Sequence, residues 1–515
     1  MKILGFYCRH DANIATYDTS SGKFTYFKHE RDTGIKHCPV SRHGDDIEQN
    51  KVKFFEFLRK HCETFRPDVI VFCGGVISEC RQKTLYTEFS NKQFFDQGIC
   101  DNNCRVFCID HHYAHVLSCW PVKRTKDVDV GVCLDGGGGN GLTGRIIATP
   151  ESPEILYNES RGGVGLMLNR IGQELMNLNG VGLDMAGKVM GAQSYGHVSQ
   201  EMIEMIDPEV LYTNIEMNWR LSSPNKLKFG DPVFNDWLAT IHHLAEKYTI
   251  QTFADHCKRE QTITYSGGIA QNTVFNDTLH SLYDNLHIIP HCYDGGLSLG
   301  CLELARILFD LPEFKTEGFP YWQNDVCDSR PSPKTIARVA SALASGKIVG
   351  WFQGRGEIGP RALGNRSILM DPSIKDGKSI INEKVKHREY WRPYGPSVLE
   401  EEAHKWFMVD KPSPYMLRAV MTREDMSGKI PSVVHVDRTS RIQTVNRNQN
   451  EDYYDLIACF FKLTGIPMLL NTSLNSGGSP IFSTKAQCLD LLQNTSLDMM
   501  CFGDEIIHNN RKIYY

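Results

Sequence analysis

The chain has 515 residues, of which 41% are apolar and 23% charged, and its formal net charge is −5. These values are typical of a soluble globular protein of about two to four domains. They give no sign of a general nucleic-acid-binding or membrane-surface protein. No apolar run reaches the roughly 18 residues of a transmembrane helix, so we expect no membrane partner.

The N-terminal residues 1–7 are apolar but meet Arg9 too early for a secretory signal, and they are typical of a first β-strand. The chain contains 17 cysteines. Without a signal, free thiols in a reducing compartment are favoured over a disulfide framework. The sequence therefore predicts a cytoplasmic protein.

Two short strands, at 3–7 and 14–17, are predicted to flank a polar turn that holds His10 and Asp11. Taken alone, this pattern favours an ordinary hairpin, because Asp and Asn are common turn residues. The segment 29–37 is dense in titratable side chains. Its ordinary interpretation is a solvated surface loop.

The stretch 109–115 reads Ile-Asp-His-His-Tyr-Ala-His, with a strand-like run before it and a helix-like run after it. In a helix, His111 and His115 would project from the same face one turn apart. Two imidazoles in that arrangement can bind one divalent metal. An isolated pair with this spacing is more often two unrelated histidines on one face, so the rest of the chain decides.

Two later strands end in an Asp followed by glycines. The strand at 128–134 leads to Asp135 and four glycines, and the strand at 286–290 leads to Asp294 and two glycines. An Asp at such a strand end is well placed to bind a metal, and the glycines permit close approach by a phosphate. With the histidine pair, these two Asp residues could supply four ligands to one ion.

A further strand is predicted at 262–266, followed by a glycine turn and a helix start near Asn272. Backbone N–H groups at such a helix N-terminus suit an anionic or nucleotide ligand.

The stretch 187–191 is predicted to lie between helices. A proline-rich connector at 311–335 then precedes a new domain, whose first helix begins at Ser332.

The second group of candidate residues begins at 353–369, which holds three arginines and four glycines. Guanidinium groups bind phosphate and carboxylate bidentately, so this stretch predicts an oxyanion pocket rather than ordinary surface charges. Hydrogen-bonding side chains follow at 471–475. Further cations follow at Lys384, Lys386, His387, Arg388, Arg392, Arg438 and Arg441.

On these residues the chain resembles the nodulation-protein type O-carbamoyltransferases, which include enzymes of aminoglycoside, ansamycin and cephamycin biosynthesis. The resemblance runs essentially end to end. Its most specific stretches are HDAN at 10–13, DHHYAH at 110–115, GKVMG at 187–191, SGGIAQN at 266–272, GRGEIGPRALGNRSIL at 354–369, VKHREYWRPYGPSV at 385–398, HVDRTSRIQTV at 435–445 and LNTSLN at 470–475.

The resemblance implies an α/β protein of two fused domains. Residues 1–325 would form an actin/hexokinase-like, duplicated α/β domain of the threonylcarbamoyl-transfer type. Residues 326–515 would form a YrdC-like α/β domain. By the resemblance, the second domain uses carbamoyl phosphate and ATP, with Mg²⁺, to form carbamoyl-adenylate and pyrophosphate. The first domain then transfers the carbamoyl group to an acceptor hydroxyl with the help of a metal.

The resemblance also implies site residues. The metal ligands would be His111, His115, Asp135 and Asp294, with Fe²⁺ favoured and Mn²⁺ or Zn²⁺ as alternatives. The carbamoyl phosphate pocket would contain Arg361, Lys386, Arg392, Arg441 and Ser473, with Arg361 and Lys386 catalytic. Nucleotide contacts would fall on Lys188, Gly191, Gly267, Gly268 and Asn272. We add the hypothesis that His10, oriented by Asp11, is the base for the acceptor hydroxyl.

Three alternatives for function stay open at this point. The acceptor is expected to be a small molecule, although the hydroxymethyl group of 5-hydroxymethylcytosine in DNA is a second possibility. The acidic balance of the chain argues mildly against DNA. A non-catalytic module that binds carbamoyl phosphate or nucleotide is the third.

Arg438, where the family usually has a small residue, either adds a cation to the pocket or faces solvent. The oligomeric state is open, with a homodimer possible.

Overall fold

The structure is a computed structural model that describes residues 1–40, 47–74, 84–138, 141–160, 163–176, 178, 182–206 and 227–509. The chain packs as two compact units. Unit 1 comprises Met1–Val189, Val198–Gln271 and Thr278–Glu317, and unit 2 comprises Met190–His197, Asn272–Asp277 and Gly318–Tyr515.

Unit 1 contains two mixed sheets. The first is built from β1 (Lys2–Tyr7), β2 (Asn13–Asp18), β3 (Lys23–Lys28), β4 (Val69–Cys73), β5 (Tyr86–Phe89) and β6 (Arg105–Ile109). The second is built from β7 (Val130–Leu134), β8 (Gly144–Ala148), β9 (Glu154–Glu159), β10 (Thr262–Ser266) and β11 (Asn285–Ile288). Strands β4, β6 and β7 carry near-continuous apolar runs, as expected for strands that are covered on both faces.

The two sheets have the same topology. Their orders are β3-β2-β1-β4-β6-β5 and β9-β8-β7-β10-β11. In each sheet, the first three strands along the chain are each antiparallel to the next. Two later strands then extend the sheet and run parallel to the first strand. Strand β5 is an extra edge strand on the first sheet. The predicted duplicated, actin/hexokinase-like α/β fold of the N-terminal part is confirmed.

The N-terminal part also contains helices. They are α1 (His29–Thr33), α2 (Ile47–Cys62), α3 (Lys92–Asp96), α4 (His111–Leu117), α5 (Val164–Arg170), α6 (Met185–Ala192), α7 (Gln200–Met205), α8 (Pro232–His256), α9 (Thr273–Leu282) and α10 (Leu297–Leu308). Helix α4 follows the first sheet but packs on the second, where a side chain at Gly131 would clash with Val116. Helix α10 follows the second sheet but packs on the first, where a side chain at Gly5 would clash with Ser298.

This crossing brings helices α4 and α10 into contact. A Cβ at Gly300 of α10 would overlap the carbonyl oxygen of Ala114 in α4, so the backbones meet with no room for a side chain. The turns that lead out of β1 and β7, and those that lead into α4 and α10, therefore meet at one place. The candidate metal ligands and His10 lie on these connections and on α4.

Unit 2 is a three-layer α/β/α structure. Its main sheet has the order β17-β18-β16-β19-β15-β13-β20-β21, and β12 pairs with β14 separately. Its strands are β12 (Val326–Cys327), β13 (Val349–Phe352), β14 (Gly354–Arg355), β15 (Arg366–Met370), β16 (Gly395–Leu399), β17 (Arg418–Met421), β18 (Thr439–Val445), β19 (Met468–Ser473), β20 (Met499–Phe502) and β21 (Glu505–His508). Its helices are α11 (Pro333–Ala344), α12 (Gly377–Ile381), α13 (Ala403–Trp406), α14 (Glu424–Ser427), α15 (Glu451–Thr464) and α16 (Lys485–Asn494).

Alternation along the strands of unit 2 divides its core into two layers. In β19, Leu469 faces the layer that contains α11 and α15, while Met468 and Leu470 face the layer that contains α12 and α16. The predicted start of the domain's first helix is confirmed, because the Ser332 hydroxyl accepts a hydrogen bond from the Thr335 N–H. The YrdC-like assignment and the domain boundary at 325 and 326 stay predictions.

Two sequence-based expectations differ from the structure. The stretch 187–191 lies inside helix α6 rather than between helices. The segment 29–37 is not a solvated loop, because Glu30 and Arg31 are buried in α1 and the His37 side chain is only 12% exposed. Gly139 and Asn140, at the end of the predicted glycine turn, lie outside the described residues.

Each of the 16 cysteines in the described ranges is a free thiol. Within those same ranges, none of the helices combines the length and the apolar character needed to cross a bilayer.

Candidate functional site

The four predicted metal ligands of unit 1 converge. His111 and His115 project from α4, Asp135 follows β7, and Asp294 precedes α10. One ligand atom from each of the four lies within 4.8 Å of every other, and all four residues are buried. The Nε2 atom of His111 lies 3.1 Å from Asp135 Oδ2, and that of His115 lies 3.2 Å from Asp294 Oδ1.

The donor set fits a divalent cation. Four ligands with bonds of about 2.1 Å in tetrahedral geometry are separated from one another by roughly 3.4 Å. The four imidazole–carboxylate distances range from 3.1 to 3.8 Å. Two carboxylates and two neutral imidazoles together carry two negative charges, which a divalent ion would balance. Metal binding itself stays a prediction.

Electrostatics in this cluster show how strongly it favours positive charge. Burial alone would lower the pKa of His111, but Asp294 and Asp135 outweigh burial and raise it. Burial alone would raise the pKa of Asp135, but the hydrogen bond from His111 and the charges of both histidines lower it. The carboxylates therefore stay ionised, as metal ligands must be.

Neighbouring groups hold the ligands in place. Asp135 Oδ1 accepts a hydrogen bond of 2.7 Å from the Gly268 N–H, and Asp294 Oδ2 accepts one of 2.6 Å from the Tyr7 hydroxyl. The Asn13 amide donates to the backbone oxygens of Asp11 and Asp294. Such partners orient ligands and tune their affinity for metal. Tyr7 and the role of Asn13 could not be predicted from the sequence, because both depend on contacts across nearly 300 residues of chain.

The predicted base lies at the edge of this cluster. His10 Nδ1 is 3.3 Å from Asp11 Oδ2, and His10 Nε2 is 3.5 Å from Asp294 Oδ2. The His10 side chain is 41% exposed, whereas Asp11 is buried. The structure thus brings His10 and Asp11 beside the four candidate ligands.

The predicted nucleotide contacts have local explanations of their own. Gly267 has a φ of +90° and packs against the Leu134 backbone, so a side chain there is excluded. The Asn272 side-chain oxygen accepts from the Val274 and Phe275 N–H groups at the start of α9. Within unit 2, the Gly191 carbonyl accepts from His435 Nε2 at 2.9 Å. Lys188 is a buried residue of α6. Nucleotide binding by these residues stays a prediction.

The candidate pocket of unit 2 is strongly cationic. Burial, followed by the charges of Arg361, Arg388 and Arg392, lowers the pKa of Arg441 well below its usual value. Burial, and next Arg392 among the neighbouring cations, also lowers the pKa of Arg388 to about 10. Four guanidinium groups near enough to repel one another form a site that an oxyanion would stabilise.

Lys386 is the last residue of a π-helical turn at Asn382–Lys386. Its ammonium group donates to the Ser473 carbonyl at 2.5 Å, lies 3.3 Å from the Ser473 hydroxyl, and contacts the Asn475 side chain and carbonyl. Predicted residues Lys386 and Ser473 therefore lie together. Asn475 is a neighbour that the prediction left out.

The loop that carries Arg361 is fixed by Glu357. This buried carboxylate accepts hydrogen bonds from the N–H groups of Leu363, Asn365 and Arg366 through one oxygen, at 2.8 to 3.1 Å. Arg366 has a structural role, because it pairs with Asp325 and lies over the Phe352 ring. Of the three arginines in 353–369, Arg361 is the one that joins the other cations around Arg441.

Arg438 belongs to the surface. Its side chain is 54% exposed and pairs at 3.4 Å with Glu424, which is itself 90% exposed. The alternative in which it faces solvent is therefore the one observed.

Comparison with known proteins places the chain in a family. The family model described as Carbamoyltransferase C-terminus matches residues 340–509. The uncharacterized protein sll1178 of Synechocystis sp. is 33% identical over 481 residues, which cover 77% of this chain and 75% of that protein. The chain belongs to the carbamoyltransferase family. This is a family of transferase enzymes, and the resemblance found in the sequence is confirmed.

Named relatives agree with the assignment. Nodulation protein NolNO of Sinorhizobium fredii is 30% identical over 440 residues, and NolO of Bradyrhizobium diazoefficiens is 29% identical over 447. Each alignment covers 78% of this chain, and the chain spans 64% of NolNO and 78% of NolO. Among solved structures, HypF of T. kodakarensis matches at 11% identity over 61% of this chain and 48% of its own, with a TM-score of 0.37, which is too low to add support.

Proposed function

We propose that this carbamoyltransferase is an ATP-dependent O-carbamoyltransferase that works in two half-reactions. In the first, unit 2 converts carbamoyl phosphate and ATP into carbamoyl-adenylate. In the second, unit 1 transfers the carbamoyl group to an acceptor hydroxyl. The observation that carries the proposal is the presence of two charged sites of opposite sign in a member of this family.

The first half-reaction suits the cationic site of unit 2. One water releases phosphate from carbamoyl phosphate, and the remaining carbamate oxygen bonds to the α-phosphorus of ATP as pyrophosphate leaves. Every reactant and product of these steps except water is an oxyanion. Arg361, Arg392 and Arg441 would hold the phosphate oxygens, and Lys386 would act beside Ser473 as a further fixed donor. Mg²⁺ would accompany ATP.

The second half-reaction suits unit 1. A divalent cation held by His111, His115, Asp135 and Asp294 would supply Lewis-acid polarisation of carbamoyl or phosphate oxygens. Fe²⁺ is the favoured ion, with Mn²⁺ and Zn²⁺ as alternatives, since mixed imidazole and carboxylate ligands suit all three.

His10 is the proposed base of this step. Its Nδ1 lies 3.3 Å from Asp11 Oδ2, and donation of an Nδ1–H to that carboxylate would leave Nε2 as the basic nitrogen. The acceptor O–H bond breaks, its proton goes to His10, the acceptor oxygen bonds to the carbamoyl carbon, and AMP leaves with the electrons of the broken C–O bond. Asp11 would orient the imidazole and stabilise its charged form.

Finer assignments also belong to the proposal. Residues 326–515 would form a YrdC-like domain, and Lys188, Gly191, Gly267, Gly268 and Asn272 would contact nucleotide. Free thiols support a cytoplasmic setting. Homodimerisation stays open.

A small-molecule hydroxyl is the proposed acceptor, which the nodulation-protein relatives support. Carbamoylation of 5-hydroxymethylcytosine in DNA is the alternative, and the net charge of −5 argues mildly against it. A non-catalytic binding module is disfavoured, because the four candidate metal ligands converge and the charges of Arg361 and Arg392 act on Arg441.

The test is an incubation of the protein with carbamoyl phosphate, ATP, Mg²⁺ and Fe²⁺, followed by measurement of pyrophosphate. Mass spectrometry then screens an aminoglycoside, an ansamycin and an oligonucleotide containing 5-hydroxymethylcytosine for a carbamoyl adduct. We expect pyrophosphate release and a small-molecule adduct. Carbamoylation of the oligonucleotide alone would favour the DNA alternative, and absence of pyrophosphate would overturn the enzyme.

A further inference from the structure

A second, largely buried group of charged side chains lies behind His10 and has no assigned role. It consists of Lys28, Glu30, His37 and Asp184, arranged around Asp11. Asp11, Glu30 and His37 each offer a ligand atom, and these three atoms lie within 4.8 Å of one another. By composition alone, this group resembles a second metal site.

Lys28 argues against a metal at this second group. Its ammonium lies 2.5 Å from Glu30 Oε1 and 3.4 Å from Asp11 Oδ1, and its side chain is 2% exposed. Burial alone would lower the pKa of Lys28, but Glu30 and Asp11 raise it, so the group keeps its charge. The two carboxylates therefore already have a cation from the chain itself. This leaves His37 to act as a hydrogen-bond donor rather than a ligand.

His37 connects two carboxylates. Its Nδ1 lies 2.8 and 2.9 Å from the two oxygens of Asp11, and its Nε2 lies 3.2 Å from Asp184 Oδ1. Asp184 also pairs with Lys36. With the contact between His10 and Asp11, these bonds form a continuous relay in the order His10, Asp11, His37 and Asp184.

Backbone conformation sets this relay apart from ordinary surface polar contacts. Asp11 has a φ of +61° and His37 a φ of +53°. Both lie in the left-handed region, which is unfavourable for most residues other than glycine. Each of the two residues is therefore strained, and the bond they share is among the contacts that hold them there. The His37 backbone is fixed in addition by its N–H, which donates to Glu30 Oε2 at 3.0 Å.

We propose that His37 is a positioning residue for the transfer step: it fixes Asp11, and through Asp11 the ring of His10, so that His10 Nε2 faces the acceptor hydroxyl. This inference rests on the proposed role of His10 as base. His37 donates one N–H to Asp11 and does not touch the reacting atoms. Without this donor, the Asp11 carboxylate can rotate, and His10 loses the partner that selects its Nδ1–H tautomer.

Two variants separate the donor from the backbone strain. His37→Asn keeps an N–H donor near the position of Nδ1, and His37→Gly has none. Both residues tolerate a positive φ, so they differ mainly in the hydrogen bond to Asp11. The pair is therefore matched for backbone conformation.

The first readout does not need an acceptor. Nitrogen-15 NMR of histidine-labelled full-length protein reports the His10 tautomer, with the His10 signal assigned by its loss in His10→Asn. Burial alone would lower the pKa of His10, but Asp294 and Asp11 raise it to about 9, so spectra are recorded over a series of pH values that includes the neutral ring. For the neutral ring we expect the Nδ1–H form in the wild type and in His37→Asn, and a mixture of tautomers in His37→Gly. An unchanged His10 signal in His37→Gly would overturn the positioning role.

The second readout is transfer of the carbamoyl group from preformed carbamoyl-adenylate to whichever acceptor of the screened panel the wild type uses. We expect kcat to fall about 10- to 100-fold in His37→Gly, as for lost orienting partners, with KM for the acceptor unchanged and His37→Asn largely active.

Loss of a second equivalent of bound metal in His37→Gly would also overturn the proposal, because His37 would then be a ligand. If His10→Ala retains full transfer while the tautomer still depends on His37, the proposed base fails and the positioning of His10 stands.

Discussion

The candidate sites of the two units are opposites in charge. The site in unit 1 gathers two buried carboxylates and two imidazoles, a donor set that suits a divalent cation. The site in unit 2 gathers guanidinium groups that suit an oxyanion, and burial together with the charges of Arg361, Arg388 and Arg392 lowers the pKa of Arg441. Each site therefore has a charge opposite to that of its proposed ligand. The second group, around Asp11, differs from both sites, because Lys28 already balances the charge of its carboxylates.

The largest expected effect comes from the cationic site. Arg441→Met keeps much of the side-chain volume but removes the charge and the donors. We expect pyrophosphate release to fall about 10²- to 10³-fold, the usual loss when a fixed donor to a developing oxyanion is removed. Transfer from preformed carbamoyl-adenylate should persist. Loss of both activities together would mean that the two sites do not divide the work.

Asp135→Asn tests the anionic site. The amide has the same shape as the carboxylate but lacks its charge, so the cluster would carry one negative charge rather than two. We expect bound metal, measured by elemental analysis after dialysis, to fall by at least about tenfold, and transfer to fall with it. Full metal content in this variant would exclude Asp135 as a ligand.

Gly268→Ala should have a smaller effect on the same site. The added Cβ would lie 2.7 Å from Asp135 Oδ1, so the ligand must move. We expect metal affinity to fall about tenfold, at the low end for changes that act through a ligand's partner. Gly428→Ala is the control, because its Cβ would meet no atom within 4 Å. Equal losses of metal in both variants would show a general effect on folding.

Arg438→Ala should have the smallest effect. The side chain is exposed and pairs with an exposed carboxylate, an interaction worth about 0–1 kcal/mol. We expect pyrophosphate release to stay within about twofold of the wild type. A larger loss would place Arg438 in the cationic site after all.

Much of this architecture could be read from the sequence. Apolar runs such as 69–73 and 262–266 indicated the strands at their observed bounds, and the Asp-Gly stretches indicated the turns where Asp135 and Asp294 lie. Local patterns suffice here, because a buried strand and the turn that ends it are properties of adjacent residues.

The remaining features depend on contacts between distant parts of the chain. The density of charge at 29–37 was visible, but its burial was not, because it arises from Asp11 and Asp184 rather than from neighbours in sequence. Tyr7 and Asn13 gave no signal beyond their strand positions, and their partner Asp294 lies far along the chain. Among the arginines, only the structure separates Arg366, which is committed to Asp325, from Arg361.

The most direct test of the division of work is pyrophosphate release from carbamoyl phosphate and ATP, measured in parallel for the wild type, Asp135→Asn and Arg441→Met. We predict that Asp135→Asn releases pyrophosphate within about twofold of the wild-type rate, while Arg441→Met releases it at least about 100-fold more slowly. Equal loss of pyrophosphate release in both variants would contradict two separate sites of opposite charge, each with its own half-reaction.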